Sequence, residues 1–424
     1  MTTRDKKRIL VIPGPFMPHN ETITQLSYRM LCNIDCEIDV VAFKAKNDEY
    51  FNDYVKNDEK FKKFNIEYVG FDWKQLDISS KNMNLFKLRK ILKAYERKCI
   101  GMANNREYDF VFSFSGPNYT HPIAGKIKAK NREIKWFASF SDPISRNLYA
   151  NQLFKEKART KALALILKGF VFRRSFETVA LKNADKLVFI SDELRDYITR
   201  GNEEYKKKSI IYPITYVKEW PGYKAIKSSV SKKTKNKKII FAHFGNIYGL
   251  RKIGAFLDAL SELKKESPEL TDQIEVHQYG DIDKYQKAVL DASEVKELFI
   301  MHDRLDYDDC IKKMNEADVL LIFDTIVPNG QIQPFLPSKI TDCLLANKPI
   351  FAVTPSVSPL HRFLDDKHTC ARYDAKEIAL CLKKLVGNHE PVINDVDWLD
   401  NDIASLEIFG KDFDMIDSIK RRKK

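Results

Sequence analysis

The chain reads as α/β, with two doubly wound domains, each built on a parallel sheet. Three observations predict this. Short apolar runs ending in turns alternate with segments of helical spacing from Arg8 onwards. A Lys-rich, unpatterned stretch, Lys218–Lys238, interrupts them. The alternation then restarts at Ile239. At 424 residues the chain also exceeds what one ordinary core serves.

The first half opens with a strand, "RILVIPG" (Arg8–Gly14), ending in a Pro-Gly turn. "ETITQLSYRML" has helical spacing and "CEIDVVAFK" (Cys36–Lys44) is a second strand, so a β-α-β unit begins the domain. "YDFVFSFSGP" (Tyr108–Pro117) and "IKWFASFSDP" (Ile134–Pro143) are strands with turns, separated by the helix "IAGKIKAK". "ADKLVFIS" is a strand, "DELRDYIT" starts a helix behind an acidic cap, and "SIIYP" is the last strand. In the second half, "IIFAHFGNIYG", "IEVHQYGD", "LFIMHDRL", "DVLLIFDT" and "KPIFAVT" are strands. "RKIGAFLDALSELKKE", "DYDDCIKKMNEA", "PSKITDCLLA" and "AKEIALCLKKLVG" are helices. The expected division is a domain over 1–217, a linker over 218–238, a domain over 239–400, and a C-terminal helix in 401–424 that crosses back to the first domain.

Composition narrows the class. Hydrophobic residues make up 44% and aromatics 12%, which excludes a disordered chain. The formal net charge of +13 points to a polyanionic partner: phosphorylated substrate, anionic membrane or nucleic acid. The cations are spread with no aromatic-interleaved basic motif, so no nucleic-acid partner is expected. Seven scattered cysteines without a CxxC read as reduced thiols of a cytoplasmic protein. The N-terminal apolar run is too short for a signal peptide, and no run reaches the ~18 apolar residues of a membrane span.

Chemistry concentrates in the second half. Gly245 and Asn246 follow a strand, and Arg251 stands a few residues on, near a helix start. Ser338 and Lys339 open the helix "SKITDCLLA", with Asp342 one turn along. Arg matches phosphate bidentately, Lys acts as a point charge, and a carboxylate can accept from both hydroxyls of a ribose. Two cations and one acid suit a nucleoside diphosphate. Asp281-Ile282-Asp283 and Asp395-Val396-Asp397 are D-x-D strings outside the context a metal–nucleotide site needs. His243, His277 and His302 show no ligand spacing. Phe154–Phe176 mixes cations with Leu, Ile, Val and Phe, and suits either an anionic membrane surface or a core-facing helix.

The strings "HFGNIYGLRKIGAFLDALSEL" and "EADVLLIF…FLPSKITDCLLANKPIFAV" resemble the C-terminal half of retaining GT-B glycosyltransferases, in the large family (family four) that includes bacterial capsule and lipopolysaccharide enzymes. "YDFVFSFSGPNYTHPIAGKIKAKNREIKWFASFSDP" and "FETVALKNADKLVFISDEL" resemble its acceptor half. The resemblance implies a GT-B fold, with two Rossmann-like domains facing each other across a cleft. The first would bind the acceptor and the second the nucleotide sugar. It places Gly245, Arg251 and Lys339 on the donor diphosphate and Asp342 on the ribose, with Gly14 facing the same cleft. His121 and Asp142 would line the transfer site from the acceptor side. No metal cofactor is implied, since Arg and Lys neutralise the diphosphate. The partners implied are a nucleotide-sugar donor and a glycan or lipid-linked acceptor, with the enzyme cytoplasmic or peripheral on the inner membrane face. The pattern departs from the family at three points. Pro334 stands where a Glu is common, with Gln331 and Gln333 the nearest substitutes. Asp342 replaces a commoner Glu, which shortens its reach to the ribose. The first turn, "PGPFMPHNE", has one Gly where many relatives have two. A non-catalytic GT-B-like partner protein, or a GT-B epimerase or polyol-phosphate transferase, remain the alternatives.

Overall fold

The computed structural model describes residues 6–18, 22–43, 57–70, 85–116, 119–149, 175–220, 238–387, 390 and 392–416. The basic segment Phe154–Phe176, except its last two residues, lies outside them, as do 221–237 of the Lys-rich stretch and the C-terminal "IKRRKK". The chain forms two compact units, Met1–Thr215 with Asn401–Lys424, and Tyr216–Asp400.

The first unit carries seven strands: β1 (Arg8–Pro15), β2 (Glu37–Phe43), β3 (Phe64–Val69), β4 (Phe110–Phe114), β5 (Lys135–Phe140), β6 (Lys186–Phe189) and β7 (Ser209–Ile211). They form one sheet in the order β3-β2-β1-β4-β5-β6-β7, with parallel pairings throughout. The central strands are covered on both faces, so β4 reads as an unbroken buried run, FVFSF. Phe112 stacks on Phe137 at 4.7 Å. The C-terminal segment completes this core: Phe413 lies 4.6 Å from Phe110 and 5.4 Å from Phe137. Buried polar bonds fasten it further, since Asn401 Oδ1 accepts from Tyr212 (2.9 Å) and Thr215 (2.8 Å). The helix Asp192–Thr199 is capped by Ser191, whose Oγ accepts from Leu194 N at 3.1 Å. The cap is therefore the hydroxyl and not an acid; Asp192 and Glu193 instead occupy the first turn, where the helix dipole favours them.

The second unit holds β8 (Ile239–Phe244), β9 (Ile274–Tyr279), β10 (Phe299–His302), β11 (Val319–Phe323), β12 (Ile350–Val353) and β13 (Thr369–Ala371). Their order is β10-β9-β8-β11-β12-β13, again all parallel. The helix Gly254–Glu266 lays Phe256 among Phe299, Phe323 and Phe351, with ring centroids 5.4–6.4 Å apart. The strand order reverses between β8 and β11, which are hydrogen-bonded neighbours. Such a reversal of strand order, at the carboxyl ends of the strands, is where parallel α/β sheets bind ligands.

Candidate functional site

The loops after β8 and β11 carry the candidate residues of the second unit. After β8 the chain turns through Gly245 (φ 154°) and Gly249 (φ 60°) to reach Arg251. The two loops are tied by backbone pairing of Arg251 with Thr325 and by Ile326 N donating to Leu250 O at 3.0 Å. The Arg251 guanidinium lies 5.5 Å from the Tyr248 ring and bonds Asn246 O at 3.3 Å. Its Nε is buried without a hydrogen-bond partner.

Lys339 stands just before the helix Ile340–Leu345. That helix has six residues, so its dipole adds little and the cation carries the charge of the site. The Lys339 ammonium is half-buried, 3.6 Å from the Cys310 thiol. Burial works against its charge, but Cys310, Asp342 and Cys343 hold the ammonium above the usual lysine range. Neither Arg251 nor Lys339 forms an ion pair among the described residues, although many surface lysines of this chain do. Two unpaired cations at the switch point leave an electrostatic vacancy that an anion would fill.

Asp342 lies one turn along that helix and accepts from the Tyr307 hydroxyl at 3.0 Å through Oδ1. Its Oδ2 has no hydrogen-bond partner among the described residues. Ser338 is exposed beside Lys339. Asn246 is held within the fold, where its Oδ1 accepts from Asp281 N at 3.0 Å and ties the β8 loop to the β9 loop. At Gly280 (φ 120°) a Cβ would lie 2.8 Å from Gly245 O, so glycine is what lets these two loops touch.

The D-x-D strings take structural roles. Asp283 caps the helix Lys284–Asp291 and accepts from Gly249 N at 2.7 Å, while Asp395 accepts from Asp397 N in a local turn. No group of three or more potential metal ligands occurs among the described residues.

Gln333 is not available to a donor sugar, contrary to its reading as a substitute for the missing Glu. It is fully buried and bonded to Asp324 and to both the N–H and carbonyl of Phe335. Gln331 is exposed. Asp324, at the end of β11, had no signal in the sequence. Its buried carboxylate accepts from Thr325 N (2.7 Å), Gln333, Thr354 Oγ1 (2.8 Å) and Ser358 Oγ (2.7 Å). Burial raises its pKa against the pull of these donors.

The first unit holds the other three candidates. Gly14 (φ 84°) sits at a register shift of β1, and its N–H is occupied by the Tyr95 hydroxyl at 3.0 Å. Asp142 is exposed in the turn after β5. His121 lies in the helix Thr120–Lys130 and is 0% exposed, with its ring 4.7 Å from Phe140 and Nδ1 2.8 Å from Ser113 Oγ. Its Nε2 is buried without a partner.

Burial lowers the His121 pKa to about 3, so the imidazole is neutral when folded. In the unfolded chain it would titrate near 6.5. Between those values the unfolded state binds the extra proton, so stability falls as pH drops below about 6.5. Each pH unit should cost up to about 1.4 kcal/mol for this group. Denaturant titrations of wild type and His121→Phe from pH 7 to 5 test this, with a shallower pH slope expected in the variant. Parallel slopes would refute it.

Neither a protein-family model nor a curated protein sequence matches the chain. Solved structures match it over nearly its whole length. Sucrose-phosphate synthase from Thermosynechococcus elongatus superposes with a TM-score of 0.56 at 12% identity, covering 99% of this chain and 97% of that one. WaaG, a glycosyltransferase involved in lipopolysaccharide biosynthesis, gives 0.55 at 12%, covering 98% of each. The UDP-forming α,α-trehalose-phosphate synthase from Burkholderia xenovorans gives 0.58 at 11%, covering 96% of each. With both parallel sheets accounted for, these matches decide the architecture. The fold is GT-B. Within the GT-B fold, the second unit is the one whose switch point carries the two unpaired cations. At 11–12% identity the likeness shows the GT-B fold and nothing finer about chemistry.

No helix among the described residues is long and apolar enough to cross a membrane.

Proposed function

We propose that the chain is a glycosyltransferase that moves a sugar from a nucleoside-diphosphate donor to a saccharide or lipid-linked saccharide, with retention. One observation carries the reading: Arg251 and Lys339, both without ion-pair partners among the described residues, stand at the switch point of the second sheet with Asp342 one helical turn away. We assign the diphosphate to the two cations and the ribose hydroxyls to Asp342, with Gly245, Asn246 and Ser338 shaping the surrounding loops. On the acceptor side we keep the exposed Asp142 and the turn at Gly14, with His121, buried against Ser113 and Phe140, as a positioning residue behind them and not a direct contact.

As the bond to the anomeric carbon breaks, negative charge collects on the leaving diphosphate and the sugar becomes oxocarbenium-like. Cations already in place stabilise that charge more in the transition state than in the ground state, which is what accelerates the step. In our reading the acceptor attacks on the face the diphosphate leaves, and the departing phosphate takes its proton. Arg251 and Lys339 supply the charge neutralisation, so a metal is not required. Two neighbours support the substrate classes: the Burkholderia structure is described as UDP-forming and in complex with glucose-6-phosphate, and WaaG serves lipopolysaccharide synthesis. We place the enzyme in the cytoplasm, soluble or peripheral at an anionic membrane face, working on surface polysaccharide.

Thermal shift against UDP, GDP, ADP, CDP and dTDP tests the donor site. One of these should raise the midpoint, by linkage of binding to folding. The matching nucleotide sugar should then turn over at a rate that a chelator leaves unchanged. No shift with any of the five would favour a non-catalytic GT-B partner protein.

A further inference from the structure

His243 is a buried imidazole that the donor-site reading leaves unused. It is the fifth residue of β8, two before Gly245. Its Nδ1 lies 2.8 Å from Gln278 Oε1 on the neighbouring strand β9. The orientation of that amide is settled by its other end: Gln278 Nε2 donates to Gly245 O at 2.7 Å and to Gly280 O at 3.2 Å. Flipping the amide would set an oxygen against two carbonyls. Oε1 is therefore the acceptor and His243 Nδ1 carries the proton. In the neutral ring Nε2 is then a bare lone pair.

The free edge of the ring points towards the glycine turn. A Cβ on Gly245 would lie 3.7 Å from His243 Cε1 and 4.0 Å from Nε2. Nε2 has no hydrogen-bond partner among the described residues. Two charged groups reach the ring, Arg251 and Lys339, and both are cations. The side chains against it from the flanking strands, Gln278 of β9 and Phe323 of β11 (5.2 Å), are uncharged. His243 thus stands with the same two cations that make the anion seat, in a tautomer that presents an acceptor where an anion would need a donor.

We propose that His243 is the third group of the diphosphate seat, and that it takes up one proton from solvent when the diphosphate binds. The inference rests on the nucleotide reading of this site. In the empty seat a third positive charge would face two others in a desolvated place, so the imidazole stays neutral. Burial and the two cations agree with this, holding its pKa down to about 4. The diphosphate of a nucleotide sugar brings two negative charges. Charging the imidazole then becomes favourable, and the new Nε2–H donates to a phosphate oxygen. Gln278 keeps its bond to Nδ1–H throughout and serves as a positioning residue.

Proton uptake gives this arrangement a signature that a purely structural histidine lacks. UDP-glucose, GDP-mannose and ADP-glucose are suitable probes, because their phosphodiester groups do not titrate between pH 5 and 8. Calorimetry at pH 6 in two buffers of different ionisation heat counts the protons bound. For the probe that binds, we expect uptake approaching one proton per site, and affinity rising up to about tenfold per pH unit as pH falls. His243→Gln should bind with no uptake and a flat pH profile. Wild-type binding without uptake overturns the inference and leaves the donor site standing, as does uptake that persists in His243→Gln. Failure of all three probes to bind overturns the donor site and the inference together.

Discussion

Lys339→Ala should weaken nucleoside-diphosphate binding about 100-fold, and Arg251→Ala by a similar factor. Hydrogen bonds to charged groups contribute about 1.5–3 kcal/mol, which is roughly a ten- to 150-fold change in affinity. The upper part of that range applies because both groups are partly withdrawn from water and no carboxylate among the described residues pairs with them. Arg251→Lys should recover part of the loss, keeping the charge while losing the planar fork. The two substitutions have a second expected result that separates a binding role from a structural one. Removing Arg251, whose Nε has no partner, should change the stability of the ligand-free protein little. Lys339→Ala should cost it somewhat, since against the cost of burial Cys310, Asp342 and Cys343 favour the ammonium in the fold. Dissociation constants by calorimetry, with denaturation midpoints of the ligand-free variants alongside, test both parts. Unchanged affinity in both variants would remove the charge-neutralising role.

Asp324→Ala should destabilise the second unit by about 3–5 kcal/mol, a large share of a typical domain's roughly 5–15. The carboxylate is the common acceptor for one backbone N–H and three side chains drawn from three stretches: Thr325, Gln333, and Thr354 with Ser358. Taking it away leaves these donors buried and unmet, each costing about 1–3 kcal/mol before any relaxation. Asp324→Asn keeps an oxygen acceptor and should cost less. The neighbouring residue Thr325 pairs with Arg251, so nucleotide affinity should fall along with stability. Urea unfolding of the three proteins measures the effect. A loss under about 1 kcal/mol for the alanine variant would mean that the loops hold without the carboxylate.

Most strands of both units were legible from the sequence because each is a short apolar run closed by a turn. β3 and β13 were not. β3 (FNIEYV) is an edge strand with polar residues at Asn65 and Glu67, and β13 has only three residues. The helices Leu85–Asn105 and Lys284–Asp291 also escaped notice. Arg251, Lys339 and Asp342 could be found because a cation or acid beside a strand end or helix start is a local pattern. That the loops of Arg251 and Lys339 come to one switch point was implied by the family resemblance and by no local pattern.

The sequence by itself determined the α/β class, the restart of the pattern near Ile239, and the residue types available for an anion. Tertiary structure decided which of those residues meet. β8 and β11 are about eighty positions apart, and their pairing brings the loops of Arg251 and Lys339 to one switch point. The same folding spent Gln333 and Asn246 on internal bonds, gathered four donors on Asp324, and aligned His243 with Gln278. The reason is physical. Periodicity reports which face of a single segment avoids water, whereas a buried polar atom must find its partner wherever the chain brings one within about 3 Å. That partner lies in another strand or loop, and only strand order and register choose it.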